Sequence, residues 1–525
     1  MLDFVIRGGE VVDGSGKPRY RADVAVQGDT IASIGRFESS EARDVIDATG
    51  YAVTPGFVDM HCHADFTLPI RPTADSLVHQ GITTAVVGQC GSSPAPLLEE
   101  TREQVIASRE QEDRPMPWER WSTFGSFLDY LRDEGISLNI VPLVGQGTIR
   151  AAVMTFSANN PAGPHMTQMQ AQVEQAMDEG AVGLSTGLIY PPGSYAATDE
   201  LVAVTMPVGR RNGFYFSHIR GEGATLLDAV SEAIHIGKET GAAVQISHFK
   251  AVGEPNWDKS SQALRMIDRA QEEGLDVSAD LYPYRASSTY LVATLPAWTQ
   301  EGGKPATMKR LADTKTRRRI KAEMESEGLY PPGEWERVLI SSCPRNRSYE
   351  GRYVAELAEE NGTNAYDWVF DALLEAELDV DRIHFAMAEE NREAELRHPL
   401  MMIGTDGFGL APEGPLGRGN PHPRNYGAFP RVLGHYVRER RILSLEEAVR
   451  KMTGLPAEKL RWKDRGLVKT GYKADLVVVA PGLVGSRATY DAPHRYPLGI
   501  PHVMVNGKLV VRNGVHSGVR SGTVL

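Results

Sequence analysis

Six side chains able to bind or serve a metal ion are scattered along this 525-residue chain, each at the end of a short apolar run: His61, His63, Cys90, His218, His248 and Asp406. His61 and His63 close the run from Gly56, and strand alternation directs residues at that spacing to one side. Cys90 ends the run from Ile82, and His218 ends Phe214-Tyr215-Phe216-Ser217. His248 ends Val244-Gln245-Ile246-Ser247, and Asp406 follows Met401-Met402-Ile403-Gly404-Thr405. Parallel strands of a barrel present their C-terminal ends at one rim, where residues far apart in sequence can converge on one ion. Imidazole, thiolate and carboxylate together suit zinc, whose catalytic sites keep three protein ligands and one position for water. Two such sets are available, and metal-dependent hydrolysis is the chemistry they imply.

Singly, each residue has an ordinary reading. A histidine at a strand end is most often a hydrogen-bonded core or surface residue, a lone Cys90 is a small buried hydrophobe, and Asp406 could cap the helix after it. Six such coincidences at five strand ends are a poor explanation of the set.

The elements that must position these residues follow from the pattern. Between Pro55 and about Leu455, strand-like runs alternate with helix-like ones such as 168–179, 225–240, 260–273 and 445–452, which means a parallel sheet. With the candidate ligands as markers, strands are expected near 56–61, 82–89, 138–144, 181–186, 213–218, 243–248, 276–281 and 400–405. The expected fold is an α/β (β/α)8 TIM-like barrel over 56–455. Residues 1–55 and 456–525 instead read as strands separated by Gly-rich turns. Neither end holds enough strands to close a core, so together they are expected to build one small β-sandwich. Runs at 338–342 and 382–387 exceed the eight, and the polar, charged stretch 285–350 reads as an insertion, either a lid on the catalytic rim or a peripheral decoration.

Composition bounds the partners. The chain carries 56 basic and 68 acidic residues, a net charge of −12, which disfavours general affinity for nucleic acid or anionic membrane. Hydrophobic residues make up 41% of it, enough for a large core, yet no apolar run approaches the ~18 residues of a membrane span. Three cysteines, Cys62, Cys90 and Cys343, form no disulfide framework, and the first residues do not read as a secretory signal. A reduced, cytoplasmic protein is expected, acting on a small molecule.

Val53-Thr54-Pro55-Gly56-Phe57-Val58-Asp59-Met60-His61-Cys62-His63, Asp406 and the β-rich termini resemble the amidohydrolase superfamily. Further stretches are similar to its D-aminoacylase branch: Gly88-Gln89-Cys90-Gly91-Ser92-Ser93-Pro94-Ala95-Pro96, 183–193 around Tyr190, Ser247-His248-Phe249-Lys250-Ala251, Asp280-Leu281-Tyr282-Pro283-Tyr284 and 422–434. Many relatives bridge two metals with a carboxylated lysine; the fourth-strand run 181–185 has no lysine, and Cys90 is the substitute.

The resemblance implies a zinc enzyme that removes the acyl group from N-acyl-D-amino acids. By analogy, Cys90, His218 and His248 hold one zinc tightly and His61, His63 and Asp406 form a second, weaker site. Asp406 is then the general base that takes the proton of water and the acid that returns it to the departing amine. A free substrate carboxylate calls for cations and hydroxyl donors at a fixed distance from the metal. The resemblance nominates Lys250, Tyr282, Ser288, Arg424 and Tyr190 for substrate binding.

Some positions depart from the family. Gln146 stands where a histidine is common, Gln89 replaces a frequent asparagine and Thr405 a frequent serine. Arg285 adds a charge that either favours an acidic substrate side chain or points to solvent. Two alternatives stay open: a cyclic amide or imide hydrolase, disfavoured by Cys90 and the lysine-free fourth strand, and a non-catalytic relative acting as a binding protein.

Overall fold

The computed structural model describes residues 1–326 and 330–525. Its centre is an eight-stranded parallel sheet whose spatial order follows the sequence: Phe57–Asp59, Ile82–Val87, Asn139–Gly145, Gly183–Gly187, Phe214–His218, Ala243–Ile246, Val277–Leu281 and Met401–Ile403. The last strand meets the first through Met60 N to Ile403 O (3.2 Å) and Asp406 N to His61 O (2.7 Å), so the sheet curls almost into a closed barrel. Its strands are buried on both faces because helices such as Leu226–Thr240 and Lys259–Glu272 cover the outside. The eight expected strands are those observed, and the architecture is the expected TIM-like barrel.

Two further sheets combine the chain's ends. Leu2–Arg7, Asp23–Gln27, Thr30–Gly35 and Ala42–Asp47 form one. The other pairs Ala52–Pro55 with Leu476–Val479 and continues through His502–Val505 and Lys508–Arg512. Ile6, Val24, Ile31, Val53, Leu476 and Met504 share one apolar core between them. Ala52–Pro55 runs directly into the first barrel strand, so these sheets anchor the segment that delivers His61 and His63.

The inserted region reaches further than 285–350. Ala286–Tyr290, Val338–Ser342 and Asp381–Phe385 form an antiparallel three-stranded sheet, and Leu291, Ile320, Trp335, Val354, Phe370 and Leu373 pack into a core of their own. The two surplus runs are strands of this unit. Its apolar residues are spread among many charges at helical spacing, which conceals the core from a linear reading. Residues 327–329 of that expectation lie outside the described residues. No helix among the described residues is long and apolar enough to cross a membrane.

One glycine shows how tightly the catalytic rim is packed. Gly88, two residues before Cys90, has φ +77°, and a Cβ there would lie 1.9 Å from the carbonyl oxygen of Leu143. Gly88→Ala is therefore expected to cost at least about 2 kcal/mol, combining a left-handed backbone with a clash against main chain that cannot yield. Urea unfolding of the two proteins measures the difference; an unchanged midpoint and slope would mean that the Cys90 turn relaxes freely.

Candidate metal centre

Each of the six candidate ligands emerges just past, or at the end of, a barrel strand, where the backbone leaves the sheet. Three of them do so in the left-handed region: Cys90 (φ 53°), His248 (φ 36°) and Asp406 (φ 48°). Non-glycine residues held there cost about 1–3 kcal/mol each, a strain that persists where the surrounding structure imposes it and that concentrates at functional sites. The turn at each position re-aims the side chain from the strand face toward the barrel axis.

The six residues converge. The Cys90 Sγ lies 3.3 Å from His61 Nε2, 3.5 Å from His218 Nδ1 and 3.4 Å from His248 Nε2, and the last two nitrogens are 2.8 Å apart. Asp406 Oδ1 stands 3.2 Å from His63 Nε2 and 3.5 Å from His61 Nε2. Two groups of donors result, His61, His63, Cys90 and Asp406, and Cys90, His218 and His248, each with ligand atoms within 4.8 Å of one another. Cys90 belongs to both, whereas the resemblance assigned it to one.

Electrostatics favours neutral imidazoles. Burial first, then the His248 imidazole, holds the His218 ring well below its ordinary pKa, and burial does the same to His61 against the opposing pull of Asp406. Neutral rings present lone pairs, the form that binds metal. Burial also pushes the Cys90 thiol well up, so in the absence of a cation it keeps its proton. The Asp406 carboxyl is raised by burial, but the Arg424 guanidinium and the surrounding imidazoles outweigh that and hold it well below the usual carboxylate range. A divalent cation fits this set: it replaces the thiol proton, uses the converging lone pairs and balances the carboxylate.

Residues outside the expected set support it. Asp280 accepts from His248 N (2.8 Å) and from Gln245 Nε2 (2.8 Å), and its Oδ1 is 3.5 Å from His61 Nδ1. Asp59 accepts from Thr405 Oγ1 (2.6 Å), Thr405 N (2.8 Å) and His61 N (3.2 Å), tying the first strand to the last. Glu222 stands 3.2 Å from His248 Nδ1 and also receives the Lys250 ammonium, whose Nζ is 2.8 Å from the same Nδ1. Such partners orient metal-binding imidazoles. Asp280 lies one residue before the end of its strand and could have been found by nearly the same signal as the ligands; Glu222 sits in a loop and carried no signal.

The cluster opens into a cleft of about 370 Å³ lined by His63, Cys90, His218, His248, Lys250 and Asp406, with residues of the insertion on the facing wall. Of the expected substrate-binding residues, Lys250, Tyr282 and Arg424 come together. Both cations lie over the Tyr282 ring, at 5.6 Å and 4.7 Å, and the Tyr282 hydroxyl is buried without a partner among the described residues. Arg424 donates to Asp406 Oδ2 (2.7 Å) and to the Ser288 carbonyl (3.1 Å), so Ser288 meets it through main chain. Tyr190 packs edge-on against His218 at 5.0 Å, and its hydroxyl is 2.8 Å from Thr289 Oγ1. Gln146 is buried with both side-chain polar atoms unpartnered among the described residues, while its neighbour Gly147 lines the cleft. Arg285 is 64% exposed and faces Glu389 at 3.6 Å, the solvent-side alternative.

A model of the Amidohydrolase family matches residues 44–511. The chain is 36% identical to a D-aminoacylase of Alcaligenes xylosoxydans xylosoxydans, covering 100% of this chain and 97% of that protein. It is equally 36% identical to an N-acyl-D-glutamate deacylase of the same organism, with 96% and 93% covered. Its fold superposes on the crystal structure of the N-acyl-D-glutamate deacylase from Bordetella bronchiseptica, complexed with zinc and a phosphonate mimic of the reaction's tetrahedral intermediate, with a TM-score of 0.84, 34% identity and coverage of 100% and 99%. The chain belongs to the Amidohydrolase family.

Proposed function

We propose that this protein hydrolyses the amide bond of N-acyl-D-amino acids, releasing a carboxylate and a free D-amino acid. The observation that carries the reading is the complete donor set of His61, His63, Cys90, His218, His248 and Asp406 in a chain that is similar over its whole length to deacylases of this kind. The donor chemistry suits zinc, and the Bordetella relative holds zinc. Bound there, the ion would supply Lewis acidity, making water nucleophilic near neutral pH and polarising the scissile carbonyl.

The chain's own groups do the rest. Asp406, ionised and held at Oδ2 by Arg424, offers Oδ1 as the proton acceptor for the attacking water. The same carboxyl then returns the proton to the nitrogen, since an amine departs and an amide anion does not. Lys250, Arg424 and the unpartnered Tyr282 hydroxyl receive the substrate's α-carboxylate, beside the donor cluster. Lys250 pairs with Glu222 and Arg424 with Asp406, and Arg424 Nε has no partner among the described residues, so a substrate carboxylate can join Arg424 while Asp406 stays held. With the carboxylate and the amide both fixed, the side chain of only one enantiomer points into the cleft and that of its mirror image into the wall.

Zinc-replete protein is expected to release amine from N-acetyl-D-methionine, N-acetyl-D-leucine or N-acetyl-D-glutamate and not from the L forms; release from L forms alone would reverse the stereochemical argument. Asp406→Asn should retain zinc by elemental analysis and lose about 10²–10⁴-fold in kcat, whereas a near-normal rate would take Asp406 out of the proton transfer. Because its sulfur belongs to both donor groups, Cys90→Ala should deplete zinc after dialysis, and full retention would show that the imidazoles and carboxylate suffice.

A further inference from the structure

The wall of the cleft contributed by the insertion holds a cation with no assigned role. Arg382 occupies the middle strand of the three-stranded sheet, opposite Thr289 on one neighbour and Ile340 on the other. It lines the cleft, is 5% exposed, and its Nε and Nη1 are buried without a hydrogen-bond partner among the described residues. The guanidinium is steadied by the Tyr330 ring, 5.3 Å away. Neighbouring groups are engaged elsewhere: His384 pairs with Glu334 at 2.6 Å, and Asp381 faces Arg114 at 4.0 Å. Thr289, across from Arg382, bonds Tyr190, which in turn packs on His218, so this wall connects to the donor cluster through two side chains.

A buried guanidinium with unmet donors is costly, and native structures satisfy nearly all such groups. Its planar fork matches a carboxylate. The substrate's α-carboxylate is already provided for by Lys250, Tyr282 and Arg424 on the barrel side, which leaves Arg382 as a cation in excess. We propose that Arg382 receives a second carboxylate of the substrate, so that the preferred substrates are N-acyl-D-amino acids carrying two carboxylates. The inference rests on the deacylase reading and names the substrate class within it. The second carboxylate belongs either to the amino-acid side chain, as in N-acyl-D-glutamate or N-acyl-D-aspartate, or to a dicarboxylic acyl group.

The test compares kcat/KM for N-acetyl-D-glutamate, N-acetyl-D-aspartate, N-succinyl-D-leucine and N-acetyl-D-leucine in the wild-type, Arg382→Met and Arg382→Lys enzymes. Calorimetric binding of the same compounds is measured alongside. The wild type is expected to prefer at least one dicarboxylate over N-acetyl-D-leucine, and Arg382→Met to lower kcat/KM for it by about 10²–10³-fold while turnover of N-acetyl-D-leucine changes less than about threefold. Arg382→Lys, which keeps the charge and loses the fork, should fall between. Whether the glutamate and aspartate compounds or the succinyl compound show the effect identifies the source of the carboxylate. A wild-type preference for N-acetyl-D-leucine, or an equal loss on every substrate in Arg382→Met, overturns the proposal. If nothing is turned over, the deacylase reading fails by itself. Calorimetry then decides the subsite: tighter binding of a dicarboxylate that disappears in Arg382→Met sustains it, and indifferent binding ends it.

Discussion

The rest of this structure is arranged around the cost of bringing six candidate metal-binding side chains out of water to one point. Desolvation first, and neighbouring cationic or imidazole groups second, drive the imidazoles of His61, His218 and His248 toward neutrality, and burial pushes the Cys90 thiol up, so the cluster is poised to accept a cation. Holding it requires a backbone that tolerates left-handed turns at Cys90, His248 and Asp406, and main chain packed closely enough at Gly88 that a methyl group does not fit. It also requires carboxylates behind the ligands. Asp59 and Asp280 are buried deeply enough that their carboxyls are pushed up to about 7 and about 8, yet each still accepts backbone N–H bonds that fix His61 and His248. Strain and desolvation at this rim are offset by the large apolar core beneath it.

Much of this was legible in the sequence because one signal served two purposes. A ligand at the end of an apolar run marks both the chemistry and the strand, so His218 and His248 located Phe214–His218 and Ala243–Ile246 as readily as they suggested a metal. The insertion was legible only in part: the stretch 285–350 and the surplus runs 338–342 and 382–387 marked it, but its full extent, pairing and core did not show. Its strands pair across wide gaps, Thr289 with Arg382 for example, and its core is assembled from apolar residues dispersed among charges. Helical spacing marks its helices but not which of them share a core. Glu222 was invisible because it acts from a loop, where residue type alone does not separate a partner of His248 and Lys250 from an ordinary surface acid. The charge at Arg285 was visible, but only the strand pairing of the insertion reveals that Arg382, and not Arg285, looks into the cleft.

The two halves of the cleft carry different burdens. The barrel rim contributes the donor cluster with Asp406 and Lys250, placed just past strand ends that a packed core holds rigid, and Arg424 at the start of the helix Arg424–Arg431. The facing wall comes from a unit with its own core, tied to the rim by contacts such as Tyr190 with Thr289 and Arg424 with the Ser288 carbonyl. A change in that wall can alter what the cleft accepts without moving a metal-binding atom, whereas a change at the rim cannot avoid the chemistry. Relatives equally similar to this chain bear the names of deacylases for different amino acids, which is the outcome such a division allows. Selectivity is therefore to be sought in the side chains of the inserted sheet, and conservation of the reaction in the turns after the barrel strands.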